Sequence, residues 1–203
     1  EGERKVMVSH SLMIVSTSVA DKAAFDSIAI PNVEVRLLDD DLGTLLIRES
    51  DNSTRVLEGA NGIVDTYEVK LSVDPTEAVT VNLTFGATDQ VQVFDLSSLT
   101  PDTPITSLTF GPGSNDWRTL TVKAVDDMER ENTSIVTITH SFETGDPVYA
   151  GGQTAELDVQ VFDNESAQVL VTESNGSTRV VKDVAGDVYT LRLVSDPGAA
   201  VYV

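Results

Sequence analysis

Asp65-Thr-Tyr-Glu-Val-Lys-Leu-Ser-Val73 sets Tyr67, Val69, Leu71 and Val73 against Glu68, Lys70 and Ser72. Successive side chains of a strand point to opposite faces, so this stretch buries one face and wets the other. Val79, Val81 and Leu83 repeat the pattern against Thr80, Asn82 and Thr84, as do Leu120, Val122 and Ala124 against Thr121 and Lys123. Leu157, Val159 and Val161 alternate with Asp158 and Gln160 in the same way. Turn formers such as Asp74-Pro75 and Gly111-Pro-Gly113 stand between these runs, and no stretch carries a helical stripe. Short strands with one apolar face each predict an all-β chain built as a sandwich.

The same stretch recurs. Asp65-Thr-Tyr-Glu-Val-Lys-Leu71 pairs with Asp187-Val-Tyr-Thr-Leu-Arg-Leu193, and Arg48-Glu-Ser-Asp-Asn-Ser-Thr-Arg-Val56 pairs with Thr172-Glu-Ser-Asn-Gly-Ser-Thr-Arg-Val180. Further upstream, Asn32-Val-Glu-Val-Arg-Leu-Leu-Asp-Asp-Asp41 lines up with Glu156-Leu-Asp-Val-Gln-Val-Phe-Asp-Asn-Glu165, an offset of 124. From the other side, Glu1…Ser9-His10-Ser11 matches Glu131…Thr139-His140-Ser141, and Phe25 corresponds to Tyr149. A unit of this length can own a core, so the pattern predicts domains in tandem rather than a solenoid. The expected anatomy is the tail of one repeat over 1–41, a complete repeat over 42–165 and the head of a third over 166–203. The chain thus reads as a window on a longer array.

Composition narrows the function. The formal charge is −20 over 203 residues, which repels a phosphate backbone and speaks against nucleic-acid partners. With no cysteine there is no disulfide framework, zinc finger or thiol nucleophile. No run approaches the roughly 20 apolar residues of a membrane span, and Glu1-Gly-Glu-Arg4 does not read as a signal peptide. His10 and His140 hold one repeat position and have no second histidine at ligand spacing, so packing is the expected role. Trp117 is expected as a core or edge anchor, and Arg55 and Arg179 are expected to pair with nearby acids. No nucleophile elbow, P-loop or dinucleotide fingerprint occurs, so no enzyme is expected.

Lys123-Ala-Val-Asp-Asp127, the following Glu131, and the strand ending Val159-Gln-Val-Phe-Asp-Asn-Glu165 resemble Calx-β domains, closest to the divergent repeats of large surface and adhesion proteins. The resemblance spans the middle repeat and both partial ones. It implies an immunoglobulin-like sandwich that binds Ca²⁺ at one end, near the junction with the next domain. By position it implies ligands at Glu58, at Asp126 and Asp127, at Glu131, and at the triplet Asp163, Asn164 and Glu165. Asp39, Asp40 and Asp41 would be the same triplet for the preceding repeat, with Glu1 as its loop acid. Met128 and Asn164 replace acids common in that family, and Lys182 stands where Glu58 does, which speaks against calcium in the third repeat.

Elementary electrostatics supports the cation independently. Ca²⁺ takes six to eight oxygen ligands, and Asp126, Asp127 and Asp163 all lie just past strand ends that a sandwich can bring to one pole. Two bare carboxylates about 4 Å apart repel by roughly 1 kcal/mol in water and several-fold more at low dielectric. The plain alternative is a set of solvated turn acids. Five of eight asparagines, Asn52, Asn82, Asn132, Asn164 and Asn175, sit in Asn-X-Ser/Thr, although Ser and Thr make up only 40 of the 203 residues. That excess predicts N-glycans and an extracellular compartment.

The expected function is structural: a calcium-stiffened, glycosylated spacer in a cell-surface filament, coat or flagellar hair. Its expected partners are neighbouring repeats, laterally associated copies or other surface proteins. The alternative is the stalk of a calcium-dependent cell-surface adhesin.

Overall fold

The computed structural model describes residues 4–13, 15, 18–19, 30–37, 42–59, 62–86, 90–183 and 186–202. The chain divides into two compact units, Glu1–Asp41 and Leu42–Val203. In the first, β1 (Arg4–Val8) and β2 (Val33–Leu37) form an antiparallel pair, with Val6 opposite Val35 and Val8 opposite Val33.

In the second unit, one sheet has the order β3 (Leu45–Glu49), β5 (Asp65–Leu71), β9 (Arg118–Ala124), β7 (Val91–Asp95). The facing sheet runs β4 (Thr54–Leu57), β11 (Ala155–Phe162), β10 (Ser134–Thr144), β6 (Val79–Phe85), β8 (Ser107–Phe110). All pairings are antiparallel except β4 with β11. Two sheets in this order make an immunoglobulin-like β-sandwich. A third, two-stranded sheet joins β12 (Val169–Glu173) to β13 (Tyr189–Leu193).

The alternating residues read from the sequence form the core. Tyr67, Val69, Leu71, Val79, Val81, Leu120, Val122 and Val159 are all essentially inaccessible, and burial of each such side chain stabilises the fold by about 1.5–3 kcal/mol. β5 stops at Leu71 rather than continuing to Val73. There the backbone of Val73 turns aside to bond the Tyr149 hydroxyl through both its N–H and its carbonyl. His140 is a core residue: its Nδ1 lies 3.2 Å from the Ala155 carbonyl and its Nε2 3.0 Å from the Tyr67 hydroxyl. A carbonyl only accepts, so Nδ1 carries the proton and Nε2 accepts from Tyr67. Burial holds this imidazole down to about 4 against the opposing pull of its hydrogen bonds. Trp117 is an edge anchor, capped by the Arg48 guanidinium 4.7 Å from its ring centroid.

Arg55 departs from expectation. Its guanidinium donates to the Val171 carbonyl on β12 instead of pairing with an acid. The nearby carboxylate, Asp65, is already taken by the backbone N–H of Arg55 and Thr66 and by the Ser50 hydroxyl.

Candidate metal centre

Parallel pairing explains why the acids meet. Leu57 lies opposite Phe162 in the β4–β11 register, and both strands leave the sheet at the same end. The next residues, Glu58 and Asp163, therefore emerge side by side, with the Glu58 N–H donating to the Phe162 carbonyl at 3.0 Å. Oxygens of Glu58, Asp163 and Glu165 all lie within 4.8 Å of one another. Glu58 and Asp163 are only 3% and 2% exposed, whereas Glu165 faces solvent.

The loop before β10 closes the cluster through its backbone. The Glu131 N–H donates to Asp163 Oδ2 at 2.6 Å, and the Ser166 hydroxyl reaches both that oxygen and the Glu131 carbonyl. The Glu165 N–H takes Asp163 Oδ1 at 2.7 Å. Gln90 donates to the Glu131 carboxylate. Asn164 donates from Nδ2 to Asp126 Oδ1 at 3.0 Å, while its own Oδ1 is buried with no partner among the described residues. Gly59 permits this approach: its φ is +95°, and a β-carbon there would fall 2.5 Å from Asn164 Nδ2. Asp127 instead caps its own turn, accepting from the Glu129 N–H.

Among the described residues no basic side chain compensates this charge. The ion pairs in that set are Lys5–Glu34, Arg48–Glu68 and Arg118–Asp95, and none reaches this pole. Burial, reinforced by Asp127, Asp163, Glu131 and Glu165, pushes the Glu58 carboxyl up to about 7. Burial would also raise Asp163, but the N–H groups of Glu165 and Glu131 and the Ser166 hydroxyl outweigh it and hold it below the ordinary carboxylate value. Glu165 is raised, first by the hydrogen bond it shares with Asp163 and then by burial and the Asp163 charge. An all-oxygen set with two buried carboxyls, one of which resists ionisation, and an acceptor without a donor among the described residues fit a hard divalent cation.

Glu58, Asp163 and Glu165 are thus drawn together, Asn164 and Asp126 adjoin them, and Asp127 and Glu131 act on them electrostatically. Asp39, Asp40, Asp41 and Glu1 lie outside the described residues. Of the sequons, Asn52 donates to the Asn175 carbonyl at 3.3 Å and Asn82 to Glu143 at 3.1 Å. Asn132 lies in the loop between Glu131 and β10. Sequence reasoning missed Ser166 and Gln90, neutral residues whose role depends wholly on where the loops fold.

It also missed Asp146, a buried carboxylate. Oδ2 takes the Thr76 N–H, the Thr76 hydroxyl and the Glu77 N–H, and Oδ1 takes the Val148 N–H. Burial would raise this group, yet those donors hold it at about 2. Asp146 is saturated by its own loops and is a structural staple. The only sequence signal was Gly145-Asp146-Pro147, an ordinary turn.

The fold defines an immunoglobulin-like sandwich with an acidic pole. No family model matches the chain, and no curated relative matches it. Solved structures of similar shape include a FixG-related protein from Vibrio parahaemolyticus, 15% identical over 62% of this chain and 98% of that one, with a TM-score of 0.37. The ASH/PapD-like domain of human CEP192 is 13% identical over 75% and 97%, at 0.34. The CooA pilin subunit of enterotoxigenic Escherichia coli is 16% identical over 59% and 97%, at 0.32. These likenesses extend to the β-sandwich and no further.

Proposed function

We propose that the chain is part of a non-catalytic, extracellular repeat array of Calx-β-like sandwiches, a glycosylated spacer that Ca²⁺ stiffens at its junctions. One observation carries this reading: the cluster of buried Glu58 and Asp163 with exposed Glu165 has no basic partner among the described residues and stands directly after two residues of the inter-repeat contact. Leu57 and Phe162, which precede Glu58 and Asp163, pack with Leu170 and Val194 of the third repeat in a small apolar cluster. A cation on those carboxylates would stabilise the strand ends that the next repeat leans on. Glu58, Asp163, Glu165, Asp126 and the free oxygen of Asn164 would hold it, with Asp127 and Glu131 contributing charge. A junction without glycine or proline, Asp163-Asn-Glu-Ser-Ala-Gln168, suits a stiff connection. Sequons at Asn52, Asn82, Asn132 and Asn175 support glycans; at Asn164 the ligand role is preferred, because its side-chain nitrogen is already held by Asp126.

Calcium titration calorimetry with parallel thermal melting tests the proposal. Binding in the micromolar-to-millimolar range typical of extracellular sites, a rise in Tm, and loss of both in Asp163→Asn are expected. If the wild-type chain binds no calcium and its Tm is the same in EDTA, the metal is abandoned. Intact-mass measurement of native material tests the compartment separately: a mass without added sugar removes the glycoprotein.

A further inference from the structure

The two sheets of the sandwich turn faces of opposite charge to solvent. On the four-stranded sheet, β5 and β9 bury Tyr67, Val69, Leu71, Leu120 and Val122. Alternation therefore sends Lys70 and Lys123 outward, with Arg48 beside them on β3. Among the described residues of these four strands, the one acid on this face is Glu68, and Arg48 holds it. On the five-stranded sheet the outward acids are Glu156 and Asp158 on β11 and Glu143 on β10, all exposed. The one base of those strands, Arg55, is held by the Val171 carbonyl. A chain of net charge −20 thus keeps one net positive sheet face, with an acidic face on the opposite side.

The two sets of charges share a spacing. Along β5, Lys70 lies two positions from Glu68, the partner of Arg48. Lys123 lies two positions past Thr121, the partner of Thr66, which places it four positions beyond the Arg48 row. On the other sheet Asp158 and Glu156 are two positions apart, and Glu143 lies four beyond Thr139, the partner of Glu156. Both sets run two positions and then four, about 7 and 13 Å along the strands.

An apolar side chain marks the same end of each strip. Trp117 precedes Arg118, the partner of Val69, and so stands at the Lys70 end, 38% exposed. Ile135 pairs with Gln160, two positions beyond Asp158, and is 68% exposed.

We propose that the four-stranded face of one copy docks on the five-stranded face of a second, so that copies associate side by side. Lys70 then meets Asp158, Arg48 meets Glu156 and Lys123 meets Glu143, with Trp117 and Ile135 together at one end. The faces lie on opposite sides of the sandwich, so each copy can use both, and the contact is heterologous and propagates. It uses strands within residues 45–162 and no metal, and stands apart from the calcium reading. Asn82 donates to Glu143 on the acidic face, so a glycan there would stand in the contact. The contact belongs to chains without sugar at Asn82.

Sedimentation of the unglycosylated 203-residue chain in EDTA tests this. At about 0.1 M salt, a screening length of about 10 Å mutes the repulsion between two −20 chains and spares ion pairs at contact. At about 1 M, where it is about 3 Å, those pairs weaken too. The weight-average mass should rise above 21.7 kDa with concentration at the lower salt and return to it at the higher. Emission from Trp117, the single tryptophan, should shift to the blue as the mass rises. The double variants Lys70→Glu/Lys123→Glu and Glu156→Lys/Asp158→Lys should each be monomeric. An equimolar mixture of the two should associate again, because each supplies the face the other has lost. Lys70→Gln/Lys123→Gln, which removes the charge without reversing it, should give the same loss where reversal unfolds the chain. A wild-type chain that stays monomeric overturns the proposal. So does association that survives the higher salt or either double variant, or a mixture of the two folded variants that stays monomeric.

Discussion

Residues 45–71 and their copy, 169–193, begin from almost one sequence and end in different states. Both make a 3₁₀ turn, at Ser50–Asn52 and at Ser174–Gly176, with a left-handed second residue, Asp51 or Asn175, at φ 51° in each. Both anchor that turn with one aspartate. Asp65 takes the Ser50 hydroxyl and the N–H groups of Arg55 and Thr66; Asp187 takes the Ser174 hydroxyl and the N–H groups of Arg179 and Val188. Only the first copy goes on to form β4, because only there does β11 supply a neighbouring edge. Turn and staple are written within some fifteen residues and appear wherever the sequence does. A strand that pairs across a hundred residues appears only where its partner is present.

The largest test of that distinction lies at the repeated tyrosine. Tyr67→Ala empties a fully buried site and should cost about 4 kcal/mol, read as a fall in urea midpoint followed by Trp117 fluorescence. Tyr189→Ala, at a site 55% exposed, should stay within about 0.5 kcal/mol of wild type. Next is Arg118→Ala, which leaves the buried Asp95 charge without its partner and should cost about 3 kcal/mol of the same transition.

The pH profile sharpens the contrast between pole and core. His140 has a folded value near 4 against an ordinary 6.5. A depressed value gives stability that is complete above 6.5 and lost as pH falls toward 4, here about 3 kcal/mol in all. Glu58 runs the other way: raised from 4.5 to about 7, it favours the fold at low pH and withdraws that support as pH rises through 7. In EDTA the two effects oppose each other between about pH 4.5 and 6.5, so the wild-type urea midpoint should stay nearly flat there. His140→Gln should unmask the Glu58 slope, a midpoint that falls as pH rises from 4.5 to 7, and Glu58→Gln should unmask the His140 slope, a midpoint that falls as pH drops from 6.5 to 4.

These expectations separate what the sequence could say from what it could not. Alternation placed β5, β6, β9 and β11, because period-two burial is a local property. Asp163 is legible as an acid past a strand end and Glu58 only through the family resemblance, yet the parallel β4–β11 pairing that joins them is not legible at all. Strand direction depends on the route of the intervening hundred residues. Glu131 was picked for its carboxylate, but what reaches Asp163 is its backbone N–H, a group every non-proline residue has. Asn164 was flagged as both ligand and sequon, and only its environment separates the two: Nδ2 is spoken for by Asp126 and Oδ1 is left bare.

The smallest expected effect lies at the junction, where the two copies touch. Asn52 donates to the Asn175 carbonyl and Arg55 to the Val171 carbonyl, so the loops that are equivalent in sequence also hold each other. Both contacts are exposed, and each is worth about 0.5–1 kcal/mol at most. Arg55→Ala should therefore leave the urea transition of the two-sheet sandwich nearly unchanged. Its effect should appear as faster hydrogen exchange in 169–173, because β12 loses a tether while Leu170 and Val194 keep their apolar contact with Leu57 and Phe162. Unchanged exchange there would mean that the apolar cluster alone sets the junction, with the loop contacts following from it. A calcium effect on stiffness would then have to act through the strand ends that carry Leu57 and Phe162.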